Sequence, residues 1–276
     1  MASLQDIKGR IASVQSTLKI TSAMKMVASA KLHKTQSEAV AFTEYSSRLS
    51  NMVSTLRSVT AEKVESPLME EHNKKERAII VAMASDMSLC GAFNHNAIKL
   101  LEESMKHLQE AGYETITVIP VGNKMGVAAS KLGYDVKNLS LQEVGEYVIN
   151  EYEGGKADKV LLLYHHFCSV GSQKPTVQKL LPFVFENEQS TVSTEDYIFE
   201  PSAANLLTIV VPYCVKTKVK AAILDNTISE HAARMVAMQT ATDNAKDLLD
   251  ELRLNYNKQR QQAITAELAD IASNDV

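Results

Sequence analysis

The middle of the chain holds its most reactive side chains, the thiol of Cys90 and the imidazoles of His165 and His166. A thiolate beside an imidazole is the arrangement of a cysteine nucleophile, because the imidazole accepts the thiol proton. With Cys168, the two histidines are also residue types that bind zinc, but the sequence offers no credible fourth ligand. It therefore favours a packed thiol and ordinary strand-end histidines over a catalytic or metal site.

The loops that would hold a phosphate lack the usual glycine patterns. No G-x-G-x-x-G follows the first predicted strand, and no G-x-x-x-x-G-K-[ST] occurs anywhere in the chain. Backbone N–H groups in such loops form the cradle for phosphate oxygens. We therefore expect no nucleotide, no other cofactor and no metal here.

These residues lie on alternating predicted strands and helices. Short apolar runs predict buried strands, and apolar residues every three or four positions predict helices. The predicted strands cover 78–84, 114–121 and 159–164, and the predicted helices cover 94–111, a short segment after Gly122, and 141–151. This alternation predicts a small Rossmann-like α/β domain with a mainly parallel sheet. Residues 172 to about 200, with Pro175 and Pro182, are expected to be more loosely structured.

Both ends of the chain predict long helices. Residues 10–66 and 213–276 contain neither Gly nor Pro, the residues that most often end a helix. Two such helices can pair as a long antiparallel coiled coil, because the segment between them can return the chain to its start. The predicted organisation is an N-terminal helix over 1–60, a charged linker over 61–77, the α/β domain over 78–200 and a C-terminal helix over 203–276.

A heptad seam, typical of coiled coils, runs along the C-terminal stretch. Its two rows are Ile228, Met235, Thr242, Leu249, Tyr256 and Ala263, and three positions further on His231, Met238, Ala245, Leu252, Gln259 and Ala266. Thr, His, Gln and Ala make this seam weak. The pattern fits either one helix of a stable bundle or a shaft that protrudes from its own fold and must adhere little to its surroundings.

The start of the chain is basic and rich in serine. Its cations through Gln36 are Lys8, Arg10, Lys19, Lys25, Lys31 and Lys34, and its one acid is Asp6. Such a run is either a solvated helix face or an electrostatic track for an acidic partner. Taken alone, it also resembles an organelle transit peptide.

Composition excludes several classes of protein. The net charge of −4 and the pI near 6.0 exclude a general nucleic-acid binder. Three cysteines without CxxC spacing disfavour a disulfide framework and fit a reducing compartment. No run of about 18 apolar residues is present, so we expect no membrane insertion.

Segments at both ends and in the middle of the chain resemble the γ subunit of F-type ATP synthases, in that family's order and spacing. They are IKGRIASV (7–14), TLKITSAMKMVA (17–28), SD (85–86) with LCGAFN (89–94), EHAARMVAM (230–238), ATDNA (241–245) and YNKQRQQAIT (256–265). Two departures stand out: Ser88 replaces the glycine usual before Leu-Cys-Gly, and Asn274-Asp275 replaces a Gly-Ala pair. The cysteine-bearing regulatory insertion of photosynthetic relatives is absent, so no thiol switch is expected. Because the family motif begins at Ile7, the resemblance also argues against a transit peptide.

The resemblance implies a non-catalytic rotor, the central stalk of the synthase, with terminal helices wound as an antiparallel coiled coil inside a hexamer of α and β subunits. Its α/β domain would lie at the foot, near the ε subunit and the membrane c-ring. Rotation driven by ion flow through the ring would change nucleotide affinity at three catalytic sites in turn. The implied location is peripheral, on the cytoplasmic side of the inner (plasma) membrane.

The resemblance also implies contact residues. Arg260, Gln261, Thr265 and Glu267 match positions that meet the catalytic subunit's inner loop, and Met24, Lys25 and Arg234 match the region near its moving acidic segment. Tyr197, Phe199 and Glu200 belong to a segment that resembles the contact with the ring. Charge alone suggests that Lys19 and Lys31 extend the basic track. The alternative functions are a stand-alone α/β nucleotide-binding enzyme with helical extensions and a static coiled-coil scaffold.

Overall fold

A computed structural model describes residues 4–59, 66–72, 75–184, 199–200 and 202–274, without the side chains of residues 59, 267 and 270–274. Two long helices, α1 (Leu4–Val59) and α5 (Ala203–Asn274), are the first and last elements of the chain. Between them lie β1 (Arg77–Met83), α2 (Phe93–Glu110), β2 (Thr115–Val121), α3 (Asn123–Lys131), β3 (Asp135–Val136), α4 (Val144–Glu153), β4 (Lys159–Ser169) and β5 (Ser172–Leu181). The α/β fold with long terminal helices is thus confirmed.

The chain forms two compact units, and each long helix contributes residues to both of them. One unit is a helix pair made of Met1–Ala30 and Arg234–Val276, and the other comprises Lys31–Ala233. The sequence did not predict this division, because neither helix carries a Gly or Pro at the residues where one unit ends and the other begins. The helix bounds themselves lie within a few residues of the predicted ones.

The second unit contains a five-stranded sheet in the order β3-β2-β1-β4-β5. Strands β3, β2, β1 and β4 run parallel, and β5 pairs antiparallel with β4. The sheet is therefore mainly parallel, as predicted. From β1 the chain first adds strands on one side and then crosses to add β4 on the other, so the reversal of strand order lies between β1 and β4. In doubly wound folds, ligands bind at such a reversal.

Both faces of the sheet are covered, which explains why β1 is apolar almost throughout. Alternate residues of β1 enter separate cores: Ile79 and Val81 contact α4 and the long helices, whereas Ile80 and Ala82 contact α2 and α3. Parts of α1 and α5 complete the first core; Leu207 of α5, for example, is fully buried. Within this unit the sheet thus packs directly on the two long helices.

A heptad repeat organises the long helices. On α1, buried or half-buried positions recur at alternating steps of four and three residues: Ile7, Ile11, Val14, Leu18, Thr21, Lys25, Ala28, Leu32, Thr35, Ala39, Phe42, Ser46, Leu49, Val53 and Leu56. On α5, the predicted seam is buried or half-buried from Ile228 to Ala263. The two stripes face each other in an antiparallel pair, with Thr242 against Thr21 in the first unit and Lys220 against Phe42 in the second.

Three details of the prediction are wrong. Residues 172–181, expected to be loosely structured, form the edge strand β5, where Pro175 is tolerated. His165 and His166 do not follow a strand but lie within β4, which continues to Ser169. Ala266, placed in the seam by its spacing, is exposed. The remainder of the 172–200 prediction falls largely on residues 185–198, outside the described part of the chain.

Gly122, between β2 and α3, allows a close approach of two backbone segments. Its φ is +96°, and a Cβ atom there would lie 2.3 Å from the carbonyl oxygen of Ala84. Asp86 fixes the same turn, because its carboxylate accepts a hydrogen bond from the Asn123 N–H at 3.0 Å. The ends of β1 and β2 can therefore converge only if residue 122 has no side chain.

We predict that Gly122→Ala lowers the free energy of unfolding by at least about 2 kcal/mol, because it adds backbone strain and a steric clash. Gly9→Ala is the matched control: Gly9 lies in α1 with no atom within 4 Å of a built Cβ, so alanine should stabilise the chain by about 0.5–1 kcal/mol. Urea unfolding followed by circular dichroism measures both changes. Equal stabilities would contradict the close approach at Gly122.

Candidate functional site

Five side chains fill the point of strand reversal between β1 and β4, and we call them the switch-point cluster: Ser85, Cys90, Phe93, Asn94 and His165. Asn94 joins Ser85 to Cys90 through its side-chain amide. Its Oδ1 accepts hydrogen bonds from the Ser85 N–H at 3.0 Å and the Ser85 hydroxyl at 2.9 Å, and its amide donates to Cys90 Sγ at 3.2 Å. The Cys90 thiol is therefore an acceptor inside a closed network, and it is only 2% exposed.

His165 lies in the same cluster but does not activate the thiol. Its ring stacks on Phe93 with 4.1 Å between centroids, and neither ring nitrogen has a hydrogen-bond partner among the described residues. Burial lowers its pKa to about 4, although the neighbouring Asn226 amide opposes the shift. His165 is thus neutral near pH 7, and the structure does not form the Cys–His pair considered from the sequence.

His166 points to a different partner. Its Nδ1 lies 2.6 Å from the carboxylate of Asp225 on α5, and the exposed Cys168 lies two residues further along β4. Within the described residues, no group of three His, Cys, Asp or Glu side chains is placed to hold a metal ion. The zinc site considered from the sequence is therefore not assembled there.

The end of β4 is hydrogen-bonded to α5, and we call this contact the strand–helix junction (165–167 of β4 with Asp225, Asn226 and Ser229 of α5). Asn226 Oδ1 accepts from the His165 N–H at 3.2 Å, and Asp225 Oδ1 accepts from the Phe167 N–H at 2.8 Å. Ser229 donates its hydroxyl to the His165 carbonyl at 3.0 Å. Three side chains of one helix thus satisfy three backbone groups of the strand, which fixes the sheet to α5.

This junction was not predicted from the sequence. Its signal was present as the polar pair Asp225-Asn226 inside an otherwise apolar run of α5, followed by Ser229 on the same side of the helix. Asn226 is 4% exposed and Ser229 fully buried. Polar residues on the buried side of a helix need a hydrogen-bond partner, and the strand backbone provides it.

Three of the predicted contact residues, Met24, Lys25 and Arg234, are partly or largely buried. Met24 is half-buried, and Arg234 is only 7% exposed. Lys25 occupies a seam position on α1 and is half-buried, whereas Lys19 and Lys31 are exposed. Any contact that Met24, Lys25 and Arg234 make with a partner would therefore use only part of each side chain.

The predicted contacts at the end of α5 are exposed. Arg260, Gln261 and Thr265 lie on the helix surface, and the Thr265 hydroxyl donates to the Gln261 carbonyl at 2.9 Å. Glu267 lies in the helix, but its side chain is outside the described part of the structure. Ile264 and Leu268 are exposed beside them. This surface combines a guanidinium, an amide and apolar groups.

The third predicted group is only partly described. Phe199 is half-buried against the first core of the second unit, and Glu200 is exposed. Tyr197 lies outside the described residues. Among the described helices, none has the length and hydropathy needed to cross a membrane.

Comparisons with known proteins decide the family. A family model described as ATP synthase matches residues 3–274. ATP synthase gamma chains from Bacteroides thetaiotaomicron and Bacteroides fragilis are 40% and 42% identical, each aligned over 100% of both chains, and that of Geobacter metallireducens is 39% identical over 99% and 98%. The chain belongs to the ATP synthase gamma family.

Solved structures with the same fold include two descriptions of the Euglena gracilis mitochondrial ATP synthase. One, of the rotor, matches with a TM-score of 0.61 at 19% identity and covers 95% of this chain and 98% of that one. The other, of OSCP, F1 and c-ring, matches with a TM-score of 0.65 at 19% identity and covers 98% and 93%. At these identities the likeness supports the gamma-family fold alone.

In this gamma-family chain, the buried His165 of the switch-point cluster should make the free energy of unfolding depend on pH. The His165 pKa is depressed in the folded state, so the unfolded chain binds more protons between about pH 6.5 and pH 4. Stability is therefore full above that window and falls as the pH falls through it. We expect a loss of about 2 kcal/mol between pH 7.5 and pH 5 from His165 alone.

His165→Phe should remove this part of the pH dependence, since phenylalanine keeps the stacking on Phe93 and does not titrate. Urea unfolding of both chains at pH 7.5 and pH 5 measures the difference. His107→Gln is the control, because His107 is exposed on α2 and should leave the wild-type pH dependence intact. An identical pH dependence for wild type and His165→Phe would contradict the lowered pKa of His165 in the folded chain.

Proposed function

We propose that this chain is the central rotor of an F-type ATP synthase, which couples ion flow through a membrane c-ring to ATP synthesis or hydrolysis by rotating inside the hexamer of α and β subunits. The chain contributes no catalytic residue; nucleotide chemistry belongs to the hexamer. Its other proposed partners are the ε subunit and the c-ring, and its proposed location is peripheral, on the cytoplasmic side of the inner (plasma) membrane.

The observation that carries this proposal is the C-terminal end of α5. Counting in opposite directions from the Thr21–Thr242 contact places Leu4, 17 residues before Thr21, opposite Gln259, 17 residues after Thr242. No described residue of α1 therefore lies opposite α5 beyond Gln259. A single helix of about 15 residues is marginal in water, because helix formation needs packing of an apolar face. A surrounding partner would provide that packing.

The outer surface of the first unit supports the same conclusion. Ile20, Met26 and Val27 lie away from the seam and are 59%, 68% and 56% exposed. Lys19, next to Ile20 on α1, is also exposed. A partner surface with apolar groups and carboxylates would match this pattern, in keeping with the proposed acidic segment of the catalytic subunit.

The α/β enzyme is the weaker alternative. A doubly wound domain would bind its substrate at the strand reversal, but Ser85, Cys90, Phe93, Asn94 and His165 fill that point and are hydrogen-bonded or stacked with one another. The static scaffold is weaker too, because a permanent coiled coil would gain from Leu or Ile where the seam has Thr242, Ala245 and Gln259.

The experiment that tests the function starts with a tagged pull-down from native membranes. We expect recovery of a large complex with ATP hydrolysis activity, and ATP-driven ion pumping in inverted vesicles measured with a membrane-potential-sensitive dye. Recovery of the chain alone, without an ATPase, would overturn the rotor proposal and favour the α/β enzyme.

The contact residues are tested in the same vesicles. Arg260→Ala with Gln261→Ala should lower coupled pumping about tenfold, because truncating each of two interface side chains typically costs about 1 kcal/mol or slightly less. Asn257→Ala with Lys258→Ala is the matched control, since both residues are exposed one helical turn earlier. Unimpaired pumping with the first pair would keep the rotor and discard Arg260 and Gln261 as contacts.

A further inference from the structure

Two buried threonines join α1 to α5 in the first unit, and we call them the threonine pair. Thr21 and Thr242 are 8% and 6% exposed, and their Oγ1 atoms lie at hydrogen-bond distance, 2.9 Å apart. The Thr242 hydroxyl also reaches the Met238 carbonyl of its own helix at 2.7 Å, so its single proton has two acceptors, and either hydroxyl can donate across the seam. The Thr21 hydroxyl in turn reaches the Leu18 carbonyl of its own helix at 3.1 Å. The pair is thus a directional contact across an otherwise mostly apolar seam.

The apolar part of the seam constrains the axial position of the helices only weakly. Small residues such as Ala28 and Ala245 lie in it near the threonine pair, and they insert no large side chain into the facing helix. Because the pattern repeats every seven residues, sliding one helix by a heptad would again place apolar residues opposite apolar residues. The heptad alone therefore permits more than one register.

The threonine pair distinguishes these registers. A slide of seven residues would place Thr21 opposite Met235 or Leu249, neither of which has a hydroxyl. Each threonine would then lose its cross-helix partner and bond only within its own helix. A polar residue at one seam position sets the register of other coiled coils in the same way.

A charged pair lies one turn away. Lys25 occupies the next seam position on α1, and Asp243 follows Thr242 on α5. A hydrogen bond from Gln239 at 2.6 Å, and then the charges of Lys246 and Lys25, hold the pKa of Asp243 below its usual value. Lys25 is thus near a carboxylate of the other helix. A slide that brings Thr21 opposite Met235 would replace Asp243 by Val236 and remove this attraction, whereas the opposite slide would present Asp250 instead, so only the threonine pair distinguishes all three registers.

We propose that the threonine pair fixes the axial register of α1 against α5, and that this register sets how much of the energy of ATP hydrolysis reaches the ion-pumping step. Thr21 and Thr242 are positioning residues, since they act through the placement of the surrounding helix surfaces. The inference that the pair fixes the register stands on the geometry alone. The inference that the register controls coupling rests on the rotor function proposed above.

The register is measured in the assembled complex with spin labels. Ser16 and Asp247 are exposed on α1 and α5 and suit labelling at introduced cysteines, once the exposed Cys168 is replaced by serine; Cys90 and Cys214 are buried. A slide of one heptad changes the axial offset by about 10.5 Å, which pulsed electron paramagnetic resonance resolves. The wild type should give one narrow distance.

The test variant is Thr21→Val with Thr242→Val. It removes both hydroxyls without changing shape much, so the coiled coil should still fold. We expect a second or broadened distance, together with at least a twofold fall in ions pumped per ATP hydrolysed. Thr21→Ser with Thr242→Ser keeps both hydroxyls and should restore the wild-type distance and ratio.

Thr35→Val is the matched control. Thr35 is also 8% exposed and occupies the same heptad row of α1, but its hydroxyl donates to the Lys31 carbonyl of its own helix at 3.0 Å. It should change neither distance nor pumping ratio.

A single unchanged distance in the valine pair would overturn the proposal. A changed distance with an unchanged pumping ratio would overturn the inference that the register controls coupling. Failure of the rotor function would show separately, as a wild-type complex without ATP-driven pumping.

Discussion

Burial of one narrow stripe along each long helix is the constraint on which the rest of the structure depends. Isolated helices are marginal in water, so α1 and α5 persist because their stripes face each other. The α1 stripe keeps its alternating steps of four and three residues from Ile7 to Leu56. The sheet depends on the same helices, because Val53 and Leu56 of α1 and Leu207 of α5 complete its first core.

The α/β domain has the doubly wound architecture that binds ligands in other proteins. Its strand reversal is filled by the chain's own side chains, and the strand beyond it continues until α5 can accept its backbone hydrogen bonds at Asp225 and Asn226. The long β4 has a physical reason: a strand ending at the predicted Tyr164 would leave those helix side chains buried without partners. A domain fixed in this way can transmit force to the helix through backbone contacts.

Local patterns in the sequence predicted the elements, and non-local contacts account for most of what it did not predict. The α5 seam from Ile228 to Ala263 followed from its spacing, since burial of a helix stripe depends only on helical periodicity. The partner of Thr242 could not be predicted, because a heptad repeat is compatible with several registers. Strand β5 was missed because Pro175 argued against a strand, and an edge position, which local sequence does not reveal, tolerates it.

The exposed apolar residues at the end of α5 refine what a low-friction rotor requires. Weak adhesion was expected there, yet Leu254, Ile264 and Leu268 are 72%, 48% and 62% exposed. Burying one such side chain contributes about 1.5–3 kcal/mol, which would oppose rotation if it were lost at every step. The barrier to rotation depends, however, on how the contact energy differs between angular positions of the shaft, and not on the total contact energy. In the proposed rotor, apolar groups that stay covered at every angle stabilise the helix without resisting its rotation.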